Sequence, residues 1–254
     1  MRTEGKGGWA LAEFHHPRLT MLTAIWMSVA MPFRFRAMFE RRFPGFFLKA
    51  QGEKGVRRYG HRDYVGGRWD ELGQLQLDML RSKGLKPHHY LLDIACGSLR
   101  LGVKAIPYLE PEHYGGVEKE QALVEAGIRE ELGEELLQQR RPEFLITAAF
   151  EFERLSFMPD YAIAQSLFSH LPADQIALCL AKLRPRMKPG SVLFATFFEA
   201  LEPVRNPGRA HDHAYFAYSR DEMLAFGDHQ GFRASYLGDW GHPRGQVLVE
   251  YRPA

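Results

Sequence analysis

The chain reads as an α/β protein: a doubly wound, mostly parallel sheet of seven strands behind an N-terminal helical extension. Three observations lead there. From residue 90 onward, short apolar or β-branched runs alternate with longer helical periods, the pattern of successive βαβ units. The segment LLDIACGSLRLG, residues 91–102, is an apolar run that ends on an acidic residue, turns through small residues and enters a helix. Finally, 254 residues suffice for one substantial domain and an appendage, and not for several domains.

Strands are expected at residues 90–95, 114–118, 144–147, 161–165, 191–198, 232–239 and 246–251. Helices fit between them at 99–108, 120–140, 172–187 and 219–230. The third opens at Pro172, where a missing N–H costs nothing, and stops before Pro189 and Gly190. Upstream, residues 69–83 carry Leu72, Leu75, Leu77, Met79 and Leu80, then Gly84 and Pro87. That is an amphipathic helix with a C-terminal stop, expected to pack on the sheet domain or roof its pocket. The chain thus divides into an aromatic and basic extension (1–58), a linker and capping helix (59–84) and the main domain (85–254).

Composition narrows the function classes. A charged fraction of 25%, a hydrophobic fraction of 45% and a net charge of +2 are ordinary for a soluble globular protein and carry no strong nucleic-acid signal. Cys96 and Cys179 each lie in an apolar stretch, without paired or metal-ligand spacing. A disulfide scaffold and a zinc finger are excluded, and a reducing compartment is expected.

The turn at residues 95–98 stands outside the carboxyl end of a parallel strand, where open α/β sheets bind ligands. A dinucleotide-binding turn needs G-x-G-x-x-G to seat a pyrophosphate on the helix N-terminus, and this sequence lacks it. Asp93 at the strand end repels a pyrophosphate and favours a cation. The segment resembles motif I of the class I methyltransferases, an acidic residue followed by glycines at alternate positions. Gly97 is retained, while Ala95 and Leu99 stand where glycine is common. The likeness continues in order through HYGGVEKE (113–120), DYAIAQSLFSHLP (160–172) and MKPGSVLFATFFE (187–199). It ends with GFRASYLGDWGHPRGQVLVEY (231–251), similar to a closing hairpin whose last strand is antiparallel.

This resemblance, spanning residues 85–252, implies a methyltransferase that takes its methyl group from S-adenosylmethionine. Asp93, Ala95, Cys96, Gly97 and Ser98 would then border the donor, and Glu118 would accept hydrogen bonds from both ribose hydroxyls. Phe150 and Glu151 would lie by the adenine, with core packing equally open to Phe150. Gln165 and Ser166 would line the donor edge. His170 and His242 are the candidate bases for an acceptor hydroxyl, against plain packing or loop roles for each. Tyr64, Trp69, His211, His213, Tyr215 and Arg244 are candidate acceptor contacts. No metal is expected, because His211, Asp212 and His213 have no further ligand at convincing spacing. The expected acceptor is a small molecule or glycan, methylated at oxygen. Transfer to RNA or protein, and a non-catalytic donor-binding role, stand as alternatives.

Residues 19–33 are nearly all apolar, yet shorter than the roughly 18 to 20 residues that cross a bilayer. Glu4 and Glu13 argue against a secretory signal, so a cytoplasmic protein is expected. Phe33, Phe35, Phe39, Phe43, Phe46 and Phe47 alternate with arginines. Residues 19–58 therefore suit a lid, a homodimer contact or peripheral docking on an anionic membrane.

Overall fold

The computed structural model describes residues 50–202 and 204–254. Most of the extension, including the apolar run at 19–33 and the greater part of the segment expected to dock on a membrane or a second copy, lies outside the described residues. Among those described, no helix is long and apolar enough to cross a membrane.

The sheet has eight strands: β1 (Leu91–Ile94), β2 (Tyr114–Glu118), β3 (Glu143–Ile146), β4 (Tyr161–Ala164), β5 (Val192–Glu199), β6 (Ala217–Tyr218), β7 (Phe232–Asp239) and β8 (Gln246–Pro253). Their order is β3-β2-β1-β4-β5-β8-β7, with β6 added to the end of β5. β1 to β5 pair parallel, while β8 is antiparallel to both β5 and β7, so β7 runs in the common direction. The connection from β7 to β8 therefore opens at the carboxyl edge, the side on which the β1 turn stands. The two-residue β6 was not expected, being too short to show a period of its own.

The helices are α1 (Gly52–Tyr59), α2 (His61–Tyr64), α3 (Trp69–Ser82), α4 (Gly102–Tyr108), α5 (Gln121–Gly127), α6 (Glu134–Arg140), α7 (Ala173–Leu183) and α8 (Arg220–Asp228). α1 runs across the boundary expected at residue 58. The single helix expected over 120–140 is instead α5, a wider π-type turn over Ile128–Leu132, and α6. Gly133 has φ 81 between the last two, a conformation that ends a right-handed helix. α8 opens on a full capping box, with Ser219 and Glu222 each accepting from the other's backbone N–H.

Alternation along each strand sorts its side chains to two faces. Leu92 and Ile94 join the cluster built with α7, β5 and β8, including Phe168, Ile176, Leu180, Phe216 and Tyr251. Leu91 joins the opposite cluster, with Leu77 and Leu80 of α3, Leu99, Ile163 and Phe194. α3 is thus a structural layer of the domain, and full burial of Leu80 and Leu91 stabilises it by about 1.5–3 kcal/mol each. Asp93 falls on the same face as Leu91, which buries a carboxyl group.

Candidate functional site

A cavity of about 950 Å³ opens at the carboxyl ends of β1, β2 and β4. Its floor is the β1 turn, Asp93 to Gly97, with Glu118 to one side and Gln165 and Ser166 to the other. Tyr64 and Gly66 of the capping segment and residues 210–215 after β5 complete its wall.

The turn keeps an unusual backbone. Ala95, Gly97 and Leu99 have φ of 61, 57 and 67, so all three alternate positions are left-handed, although only one is glycine. Each non-glycine residue there costs roughly 1–2 kcal/mol. Leu99 offsets its cost by burying its side chain completely in the α3 cluster, away from the cavity. A side chain at 97 would stand 3.0 Å from the Val65 methyl, a tight approach added to the left-handed backbone, so glycine suits the position.

Glu118 ties the second strand to this turn. Its Oε2 accepts from Gly97 N–H at 3.0 Å, and Oε1 accepts from Lys119 and Glu120 N–H at 2.9 and 3.1 Å. Burial raises its pKa, and the three backbone donors oppose that rise. Asp93 is also buried and accepts from the Tyr114 hydroxyl at 2.8 Å. Burial dominates there and pushes the carboxyl up to about 7, against the lowering pull of Tyr114 and Arg100.

Along one wall of the cavity runs a polar network that the sequence does not announce. Gln165 Oε1 accepts from Arg100 Nη2 at 2.6 Å and from Gln76 Nε2 at 3.1 Å. Its Nε2 donates to Ser166 Oγ at 2.7 Å and lies 3.3 Å from His242 Nε2. Gln246 Oε1 accepts from Thr196 Oγ1 at 2.7 Å and Ser166 Oγ at 3.0 Å. Ser166, with φ 59, is held in a left-handed conformation within this mesh. A satisfied buried network of this kind fixes one side-chain arrangement.

His170 lines the cavity and follows Phe168 and Ser169 in a single 3₁₀ turn. Its Nδ1 is 2.7 Å from the Ala214 carbonyl, which can only accept, so Nδ1 carries the proton and Nε2 a lone pair. Burial lowers its pKa and keeps the ring neutral. His242 is buried beside Gln165 and does not line the cavity. Burial, then Arg244, Arg100 and Arg68, lower its pKa to about 4.

Of the other residues singled out from the sequence, Ala95, Cys96, Phe150, Tyr64, His211, His213, Tyr215 and Arg244 line the cavity. Three do not. Ser98 is fully buried where α5 crosses the turn, with Gly127 so close that a side chain there would meet the Ser98 carbonyl oxygen at 2.5 Å. Trp69 packs edge-on against His61 at 5.3 Å, with the Arg62 guanidinium 5.2 Å from its ring centre. Glu151 turns to Thr147 Oγ1 at 2.6 Å and Arg154 at 3.1 Å. Sequence reasoning missed Arg100, Gln76, Gln246 and Thr196; Asp212, weighed there only as a metal ligand, accepts from Tyr64 and pairs with Lys119 at the cavity wall.

The sequence matches no family model and no curated protein. Solved structures do match. The mitomycin 7-O-methyltransferase MmcR superposes with a TM-score of 0.59 at 16% identity, over 92% of this chain and 72% of that one. The fold is that of the class I methyltransferases. Magnesium protoporphyrin IX methyltransferase from Synechocystis PCC 6803, solved with bound S-adenosylhomocysteine, gives 0.57 at 14% identity over 80% and 96% of the two chains. The glycopeptide N-methyltransferase MtfA, solved with S-adenosylmethionine, gives 0.56 at 15% identity over 72% and 94%. Within this methyltransferase fold the β1 turn, Glu118 and the β4 end share one cavity.

Proposed function

We propose that the chain is an S-adenosylmethionine-dependent methyltransferase whose acceptor is a small molecule or glycan, methylated at oxygen. The observation that carries this is the meeting, in one cavity, of a left-handed small-residue turn and the buried Glu118 carboxylate. The residues present suit the donor: Asp93 and Glu118 present carboxyl groups whose ionised form a cationic group would favour, and Glu118 supplies acceptor oxygens for sugar hydroxyls. The small side chains at 95–97 let a ligand approach the backbone. When bound, the donor supplies a methyl group already activated on a positively charged sulfur.

The protein's part is positioning and proton removal. Holding two reactants at about 3 to 3.5 Å supplies much of the acceleration in such a transfer. Neutral His170, with Nδ1 anchored on Ala214, offers Nε2 to take a proton from an acceptor hydroxyl. The capping segment and the 210–215 loop wall the cavity on the side away from the sheet, where they would limit water around a bound ligand. Its volume of about 950 Å³ is at the upper end of the roughly 300–1,000 Å³ of small-molecule pockets, room for a donor with a modest acceptor. Neighbours named for a mitomycin and a glycopeptide acceptor agree with that scale.

The test is calorimetry with S-adenosylmethionine and S-adenosylhomocysteine. Glu118→Ala is expected to weaken both about a hundredfold, from the loss of two charge-assisted hydrogen bonds worth about 1.5 kcal/mol or more each. Absence of affinity for either compound in the folded wild type would remove the reading. Release of S-adenosylhomocysteine from the small-molecule fraction of an extract, and not from its macromolecular fraction, checks the acceptor class.

A further inference from the structure

Arg100 is the least compensated charge in the cavity. It is only 8% exposed, yet no carboxylate lies within ion-pair distance of it among the described residues. Its hydrogen bonds go to neutral oxygens alone: Nη1 to the Val65 and Gly67 carbonyls, both at 3.2 Å, and Nη2 to Gln165 Oε1 at 2.6 Å. A guanidinium has five N–H groups, so two remain, on Nε and Nη2. Those two nitrogens form one edge of the fork that matches both oxygens of a carboxylate.

Buried charges in proteins are paired, because desolvating a lone ion costs several kcal/mol. The nearby Asp93 does not discharge that cost. Its carboxyl is bonded to Tyr114 and is raised to about 7, hence only partly ionised at neutral pH. Arg244 adds repulsion, and with burial it lowers the Arg100 pKa to about 10. The guanidinium is nevertheless held in place from two elements, the capping segment and the end of β4, at a position lining the cavity.

We propose that Arg100 is the seat of a ligand's anionic group, a carboxylate or an oxyanion of similar size, bound through its Nε and Nη2 edge. Two sources have this chemistry: the amino-acid carboxylate of the donor, for which the inference rests on the methyltransferase reading, and an acidic group on the acceptor, for which it does not.

Wild type, Arg100→Gln and Arg100→Lys are compared by calorimetry with S-adenosylhomocysteine and with 5′-methylthioadenosine, which lacks the amino-acid end. They are compared by thermal melting with benzoate and with inorganic sulfate, each with and without nucleoside. A tenfold or greater loss of S-adenosylhomocysteine affinity in Arg100→Gln, with 5′-methylthioadenosine unchanged and partial recovery in Arg100→Lys, assigns the donor carboxylate. Unchanged nucleoside affinities, with a melting rise from benzoate or sulfate in wild type that Arg100→Gln abolishes, assign the acceptor. Equal weakening of both nucleosides, or no difference between wild type and Arg100→Gln with any probe, overturns the proposal. If wild type binds neither nucleoside, the methyltransferase reading fails by itself, and the anion melts without nucleoside still decide the role of Arg100.

Discussion

Two buried clusters in the cavity wall solve opposite electrostatic problems. At the tips of β1 and β2, Asp93 and Glu118 bury two carboxyl groups side by side, each eased by hydrogen-bond donors but neither by an ion pair. A few residues further, in the turn before α4, Arg100 is buried among carbonyl and amide oxygens, with His242 and Arg244 close enough to feel its charge. Both clusters bury ionisable groups without an ion pair among the described residues, and a ligand of the opposite sign would relieve each. On the proposed reading, the lesson is that the cavity suits a guest carrying both charges, its positive group towards Asp93 and Glu118 and its negative group towards Arg100.

That contrast can be broken or sharpened in several ways. The largest effect is expected at His170, which lines the same cavity: His170→Gln should lower turnover of a hydroxyl acceptor about 10²- to 10⁴-fold while leaving S-adenosylhomocysteine affinity in place. Equal loss of binding would instead show that the ring merely supports the wall. Next comes Asp93→Asn, which keeps an acceptor for Tyr114 and removes the charge. With a folded pKa raised from 3.8 to about 7, the native carboxyl is favoured below the unfolded value and penalised as pH rises through 7. The variant should therefore exceed wild type in stability by up to about 4 kcal/mol at pH 8, an advantage that shrinks as pH falls toward 4, measured by urea melts.

At the cationic cluster the sign reverses. His242 is held neutral by a pKa lowered from 6.5 to about 4, so below pH 6.5 the unfolded chain takes a proton that the folded one refuses. Stability should fall by at most about 3 kcal/mol between pH 6.5 and 4, and His242→Gln should flatten that limb. The smallest effect is Ala95→Gly, which relieves a left-handed alanine with φ 61. A gain of roughly 0.5–1 kcal/mol in thermal melts is expected after the added freedom of the unfolded chain is subtracted.

Much of the frame was legible in the sequence, and particular residues show why. Leu91 to Ile94 is an uninterrupted apolar strand broken by one Asp, and the capping residue Ser219 stands three positions before Glu222; both are local signals. Leu99 differs in detail: a helix is expected from 99, but the left-handed backbone there delays α4 to Gly102. The break at Gly133 was equally hidden within a long amphipathic period. Least legible was the network of Gln76, Gln165 and Gln246, whose members lie 89 and 81 positions apart in the chain. Arg100 likewise reads as an exposed residue on a first helical turn, and only the approach of Val65 and Gly67 buries it.

Asp212 draws together stretches that the chain keeps far apart. Its two carboxylate oxygens engage the Tyr64 hydroxyl and the Lys119 ammonium, and its backbone N–H reaches Gln51. The flap that precedes the domain, the rim of the second strand and the loop leaving the fifth are thereby knotted at one side chain. One carboxylate is thus common to both coverings of the chamber, so its loss would release a tie in each, with Arg244 on Gly66 and Arg100 on Val65 and Gly67 still pinning the first.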